Sequence, residues 1–179
     1  VNAIIKGRKS QTRRVVKNRR SKLIIVNDCV LEACKKKPDL FCPYGGIGTK
    51  LYVKEAFAKI GSDDNTTERI VYRAEEPNLD IKWHSAIYLP YSASRIILEI
   101  TDVRIERLQE ISEEDCLKEG IECNSDECRM LSKEVGMSHI CDLRGRFLTY
   151  WNSVYKSPYR WEDNPYVWVI SCKCLKTSQ

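Results

Sequence analysis

The chain reads as an α+β domain, a small mixed β-barrel with flanking helices and loop insertions. Two observations predict the sheet. Residues 95–108 carry the longest β signal, with Ile96, Leu98 and Ile100 on one parity and Val103 and Ile105 on the other, and residues 166–175 form a second β run. A third observation predicts the helices: a capped start at Ser112, and Phe147, Leu148, Trp151, Val154 and Tyr155 at helical spacing. A length of 179 residues with 42% apolar content suits one domain over 1–179 with a sizeable core. Insertions are expected at about 17–48 and 122–142.

The first elements follow in order. Residues 1–6 read as the end of a short helix with Ala3, Ile4 and Ile5 on its apolar side. Gly7 is placed to stop it, since glycine accepts a left-handed backbone. Val15-Val16 opens a strand. The stretch 17–48 holds Lys35-Lys36-Lys37-Pro38 and Gly45-Gly46-Ile47-Gly48 without a sustained period, which predicts an elaborated loop with a small helix near 30–34. Those glycines lack the Gly-Lys-Ser/Thr ending of a phosphate loop; they read as a turn feeding a strand at Leu51-Tyr52-Val53, with Glu55 at its end. Residues 69–73 alternate as another strand.

The parity change within 95–108 predicts a bulge near Thr101-Asp102, and strands bent in this way close small barrels. Arg95 at its start would reach a ligand or cap the sheet edge. Ser112 and Asp115 then form a capping-box variant, Ile111 and Cys116 are spaced as a hydrophobic staple, and Glu113 and Glu114 suit the positive helix end. The helix stops at Gly120. Glu119 therefore falls in the last turn, where its charge opposes the helix dipole, and by pattern alone it reads as an ordinary exposed glutamate. The 147–155 stripe reads as core packing on a helix ending at Ser157-Pro158. The closing strand carries Cys172 and Cys174 on one face as small core hydrophobes.

The formal charge is +5 and unevenly spread. Arg8, Lys9, Arg13, Arg14, Lys17, Arg19, Arg20 and Lys22 crowd one early segment, whereas Asp63, Asp64, Glu68, Glu75 and Glu76 sit mid-chain. Such asymmetry suits a face that meets an anion, and the basic run is contiguous with the motif described next. Trp83, His84, Tyr88 and Tyr91 gather aromatic groups, of which Trp83 is the one singled out to stack a base. No apolar run approaches the roughly 20 residues needed to span a bilayer, and no signal peptide precedes the first motif. A soluble cytoplasmic protein without membrane contact is expected; because the chain opens on Val1, a few residues are expected ahead of it.

Nine cysteines with scattered spacing fit reduced thiols rather than a disulfide framework. Cys123, Cys128, His139 and Cys141 are four residues of zinc-ligand type in one short stretch. Their spacing is not that of paired Cys-x-x-Cys knuckles, so the expectation is no metal or cofactor, and a structural zinc, if there is one, belongs to these four. Cys29, Cys34 and Cys42 lack an evident fourth ligand.

The chemistry concentrates in Gly7-Arg8-Lys9-Ser10-Gln11-Thr12-Arg13-Arg14. An amine and a hydroxyl stand three residues apart, beside a permissive glycine and three guanidiniums suited to phosphate. The octet resembles the Gly-x-Lys-x-x-Thr-x-Arg motif of ASCH domains, small β-barrels related to the PUA RNA-binding fold, and most of all the larger ASCH-type proteins of phages and prophages. Three later stretches fit in order: Cys42-Pro43-Tyr44-Gly45 to Leu51-Tyr52-Val53-Lys54-Glu55, Leu89-Pro90 to Ser94-Arg95-Ile96, and Ile100-Thr101-Asp102-Val103 to Glu119-Gly120. The resemblance covers most of the chain. It departs where the family has Pro-Gly-Asp and this chain has Ile47-Gly48-Thr49, so any role of that aspartate is absent.

The resemblance implies a PUA-like fold, a host-cytoplasm setting if the protein is phage-encoded, and a catalytic set. The family includes a bacterial amidohydrolase that deacetylates N4-acetylcytidine with a lysine, a threonine three residues on and a glutamate after the long strand. These match Lys9, Thr12 and Glu119. Thr12 would attack an amide carbonyl, which requires a base to take its proton. Lys9 can do so only where burial or a neighbouring cation, Arg8 or Arg13, makes its neutral amine accessible. Glu119 would orient the lysine or protonate the departing amine, and backbone amides near Gly7 would serve the oxyanion. The partner is then a small-molecule nucleoside. The alternative is a non-catalytic RNA-binding module, in which Lys9, Arg13 and Arg14 hold phosphate and Thr12 donates a hydrogen bond, or a ribonuclease that uses the same basic pocket; Arg8, Arg13, Arg14, Trp83 and Arg95 are the residues expected to bind the substrate or nucleic acid.

Overall fold

The computed structural model of the chain describes residues 1–17, 32, 34–61, 68–122 and 142–177. Its strands are β1 (Gln11–Val15), β2 (Lys50–Tyr52), β3 (Phe57–Gly61), β4 (Glu68–Tyr72), β5 (Ile96–Arg107) and β6 (Tyr166–Thr177). Its helices are α1 (Asn2–Ile5), α2 (Pro38–Phe41), α3 (Glu113–Lys118) and α4 (Leu143–Val154). The strands make an antiparallel four-stranded sheet in the order β1-β6-β5-β2 and a separate β3-β4 pair. The protein is thus a mixed α+β structure. No helix among the described residues is long and apolar enough to cross a membrane.

The long β5–β6 ladder is the spine, running from Ile96 opposite Thr177 to Arg107 opposite Tyr166. Its register shifts between Ile100 and Asp102, where the parity change in the sequence predicts a bulge. An extra residue there turns Ile100 and Val103 to the same side, and both are buried. A second shift, between Ile97 and Leu98, has no signature in the apolar pattern. The expected barrel closure is not seen: β1 and β2 lie at opposite edges of the order. Closure requires paired edges, and the space between these two is the cavity described below.

The sheet buries both faces. On one, Val15, Val167 and Val169 meet Leu143, Phe147 and Trp151 of α4 and Cys116 of α3. The spacing of 143, 147 and 151 makes a single stripe on a 3.6-residue helix, and Asp142 starts it by accepting a hydrogen bond from the Gly145 amide at 2.7 Å. This stripe is narrower than expected: Val154 is exposed, and the helix stops there rather than at Ser157-Pro158. On the other face, Ile100, Val103, Trp168 and Ile170 pack with Cys34 and Cys42. Cys172 joins this packing, but Cys174, level with Leu98, is exposed, so the two cysteines do not share a buried environment.

Two further expectations are corrected. The first strand begins at Gln11 rather than at Val15; its inward residues include the polar Gln11 and Arg13, which hide the alternation from an apolar pattern. Strand β3 has no counterpart in the sequence reading and pairs with β4 from Phe57–Tyr72 to Gly61–Glu68. Of the small helix expected near 30–34 only residues 32 and 34 are described, and both are helical, as are 35 and 36; the insertion expected at 122–142 lies largely outside the described residues, and the first insertion also holds α2, opened by Pro38.

Candidate active site

The octet is stitched into a corner between α1, α3 and β6. Gly7 takes a φ of 69°, and the amides of Arg8 and Lys9 both donate to the Ala3 carbonyl at 2.8 and 2.9 Å. Ser10 donates from its amide to the Lys118 carbonyl at the end of α3, and its own carbonyl accepts from the Cys172 amide. The amides of residues 7–10 are thus all consumed in the turn, so they do not supply the expected oxyanion donors. The turn leads straight into β1, which sends Gln11, Arg13 and Val15 to the helix-covered face and Thr12 and Arg14 to the other.

Lys9 docks on the end of α3. Its Nζ donates to Glu119 Oε2 at 2.6 Å and to the Glu119 carbonyl at 2.8 Å. The Glu119 side chain is only 3% exposed, which overturns the expectation of a solvent-facing glutamate. A cation at a helix C-terminus offsets both the acidic side chain and the unpaired carbonyl there. Gly120 makes the approach possible: its φ is 86°, and a Cβ on it would stand 3.1 Å from Ala3 Cβ and 3.2 Å from Lys9 Cβ.

Behind Lys9 lies a buried ionic network between the sheet and α3. The fully enclosed Arg13 guanidinium donates from Nε and Nη2 to Glu106, from Nη2 to Asp115 at 2.7 Å, and from Nη1 to Gln11 at 2.8 Å and Glu119 at 3.4 Å. Arg104 adds bonds to Glu106 at 3.1 Å and Asp115 at 2.6 Å. Lys9, Arg13 and Arg104 therefore balance Glu106, Asp115 and Glu119. Burial pushes the Asp115 carboxyl up, but the hydrogen bond and charge of Arg13, with the charge of Arg104, outweigh it and hold the group below its ordinary value. Asp115 thus completes only half of the expected capping box: its amide donates to Ser112 Oγ at 3.1 Å, while its carboxylate serves the arginines.

On the opposite face a cavity of about 570 Å³ spans the sheet. Leu98, Ile170 and Cys172 line it from the inner strands, Thr12 and Arg14 from β1, Leu51 and Tyr52 from β2, and Lys54, Tyr44 and Lys9 complete the wall. Lys9 and Thr12 share this cavity, whereas Glu119 is not among its lining residues and backs Lys9 from the helix side. Lys9 carries three N–H donors; Glu119 takes two, which leaves one. The Thr12 hydroxyl has no hydrogen-bond partner among the described residues and is half-buried. Burial pushes the Cys172 thiol up to about 11, which keeps this second hydroxyl-like group protonated and a poor nucleophile at neutral pH.

The other expected ligand residues separate. Arg14 stands exposed at the cavity rim. Arg8 pairs with Glu122, and its Nε is buried without a hydrogen-bond partner among the described residues. Arg13, wholly enclosed, cannot reach a phosphate. Arg95 is likewise internal: it forms a two-pronged pair with Glu55 at 2.8 and 2.9 Å, pairs with Glu75, and lies 4.2 Å over the Tyr72 ring. It fastens the β3-β4 pair to β5, and neither it nor the half-buried Trp83 lines the cavity. The Arg8 or Arg13 neighbour expected for the Lys9 amine is replaced by the Glu119 carboxylate. Cys123, Cys128, His139 and Cys141 lie outside the described residues.

Sequence reasoning missed Glu106, Arg104 and Glu55. A signal was present: past the bulge, Arg104 and Glu106 occupy alternate positions of a strand, so both project to one face, and an inward pair of opposite charges marks a buried ionic partner. Compared with models of known families, with curated proteins and with solved structures, the chain matches none.

Proposed function

We propose that the chain is an amidohydrolase of acylated nucleosides of the N4-acetylcytidine kind, on a PUA-like fold of ASCH type. The observation that carries this reading is the shared cavity: Lys9 and Thr12 line one open cleft, and Glu119 holds Lys9 at 2.6 Å. At about 570 Å³ the space falls within the range typical of small-ligand pockets. The internal use of Arg13 and Arg95 removes two of the cations on which an extended nucleic-acid groove would have relied.

The residues support a balanced sequence. Lys9 passes one proton to Glu119 Oε2, and the resulting amine takes the proton of the Thr12 hydroxyl as Oγ bonds to the acyl carbon. The developing oxyanion is met by the lysine N–H not held by Glu119. On collapse the carbon–nitrogen bond breaks, and the lysine proton goes to the departing amine. Water then attacks the acyl-threonine ester, giving a proton to Lys9 that returns to Thr12 Oγ as it leaves. Glu119 restores the lysine proton, and the net products are acetate, cytidine and one proton.

The test is release of acetate and cytidine from N4-acetylcytidine by purified protein, with Lys9→Ala, Thr12→Ala and Glu119→Gln variants alongside. Turnover by the wild type, lost in Thr12→Ala with the fold retained by circular dichroism, is the expected result. No turnover by folded wild type on this and a small panel of acylated nucleosides refutes the reading.

A further inference from the structure

We propose that the cavity takes a nucleoside 5′-monophosphate, with Arg14 and Lys54 clasping the phosphate from the two edges of the sheet. This deepens the hydrolase reading, on which the choice of base and the place of the acyl group rest; the phosphate recognition stands on its own observations.

The charge of the cavity wall favours an anion. Three cations line the cavity, Lys9, Arg14 and Lys54, and no aspartate or glutamate does among the described residues. Lys9 is matched by Glu119. Arg14 donates to a backbone carbonyl, that of Arg13, at 3.4 Å, and Lys54 donates to the Ile87 carbonyl at 2.8 Å and stands 5.7 Å from the Tyr52 ring centre. Neither contact cancels a positive charge. A neutral nucleoside leaves these two cations without an acidic partner among the described residues, beside a floor of Leu98 and Ile170, whereas a phosphomonoester brings about two negative charges at neutral pH.

Geometry agrees with the charge. Thr12 and Arg14 are alternate residues of β1 on one face, roughly 7 Å apart along the strand, so a ligand with its acyl group at Thr12 extends past Arg14 toward the rim. Tyr52 offers a ring face for a base or sugar, and its orientation is set by an edge-on contact with Tyr91 at 5.3 Å and 88°. A monoester is the smallest ligand that answers both exposed cations, because they line the same cavity.

Calorimetric titration of the wild type with cytidine, cytidine 5′-monophosphate and a short oligocytidylate tests this without any need for turnover. The monophosphate is expected to bind about tenfold or more tighter than cytidine, as charge-assisted bonds imply, and to weaken with added salt. Arg14→Gln and Lys54→Gln, both exposed and outside the reacting groups, are each expected to remove most of that preference by weakening the monophosphate far more than cytidine. Equal affinity for cytidine and its monophosphate overturns the proposal, as does tighter binding of the oligonucleotide with a steep salt dependence, which would mark a nucleic-acid site. A monophosphate preference without hydrolysis would retain this proposal and refute the hydrolase; hydrolysis without the preference would do the reverse.

Discussion

Replacing Arg13 with methionine tests whether this residue of the basic motif is an internal brace or a ligand arm. The side chain is fully enclosed and its guanidinium serves Glu106, Asp115 and Glu119 together. Removing one partner of a buried ion pair costs about 3–5 kcal/mol. Here each carboxylate keeps a second cation, Arg104 for Glu106 and Asp115 and Lys9 for Glu119, which places the expected loss near the lower end, about 3 kcal/mol. For a chain of this size that is a fall in Tm of about 6–12 °C. Urea unfolding followed by tryptophan fluorescence reads it directly.

The pH dependence sharpens the test. Asp115 has a lowered carboxyl in the fold, so its contribution is fully present above the unfolded carboxylate value of about 4 and is lost as pH falls through the folded one. A protonated Asp115 no longer needs the arginine, so the Arg13→Met penalty should shrink on acidification. A variant within about 0.5 kcal/mol of wild type at neutral pH, the scatter of surface substitutions, refutes the brace. So does a penalty indifferent to pH.

Three further outcomes are expected. Gly120→Ala should destabilise by about 1–3 kcal/mol in thermal unfolding, because a non-glycine residue is strained at positive φ and its Cβ would press on Ala3 and Lys9. Phe147→Ala, which empties a fully buried site against Trp151 and Val169, should cost about 3–5 kcal/mol by chemical denaturation. Cys172, with its thiol pushed up to about 11, should react with iodoacetamide far more slowly than a model thiol at pH 8, and the rate measured by peptide mass spectrometry should go on climbing with pH toward that value, where a model thiol has already levelled off.

The local signals in the sequence carried most of the elements. The switch of parity between Ile100 and Val103 located the bulge, Ser112 located the start of α3, Gly7 and Gly120 located two chain reversals, and the 147–151 spacing located the helix over the sheet. Each rests on interactions within a few residues, so each is written where it acts. Strand β1 was legible only at Val15 because its other inward residues are Gln11 and Arg13, and polar groups are buried only where partners from elsewhere satisfy them. Strand β3 was missed because its support comes from β4, and its burial runs in blocks, Phe57 and Ala58 buried and Lys59 to Gly61 exposed, with no alternation.

What the sequence determined by itself is the inventory: a basic motif with an amine and a hydroxyl three residues apart, a glutamate at the end of a short helix, and the strands and caps that hold them. What only the tertiary structure decided is how those groups divide. Adjacent residues of a strand face opposite sides of a sheet, so Thr12 and Arg14 enter the cavity while Arg13 turns into the core. Lys9 meets Glu119 across 110 residues of chain, and that contact converts a glutamate that reads as exposed into a buried one. Charge in a sequence is only a count; whether a given arginine meets a ligand or a carboxylate depends on the packing of distant segments, where the cost of burying an ion is offset by partners that no local window contains.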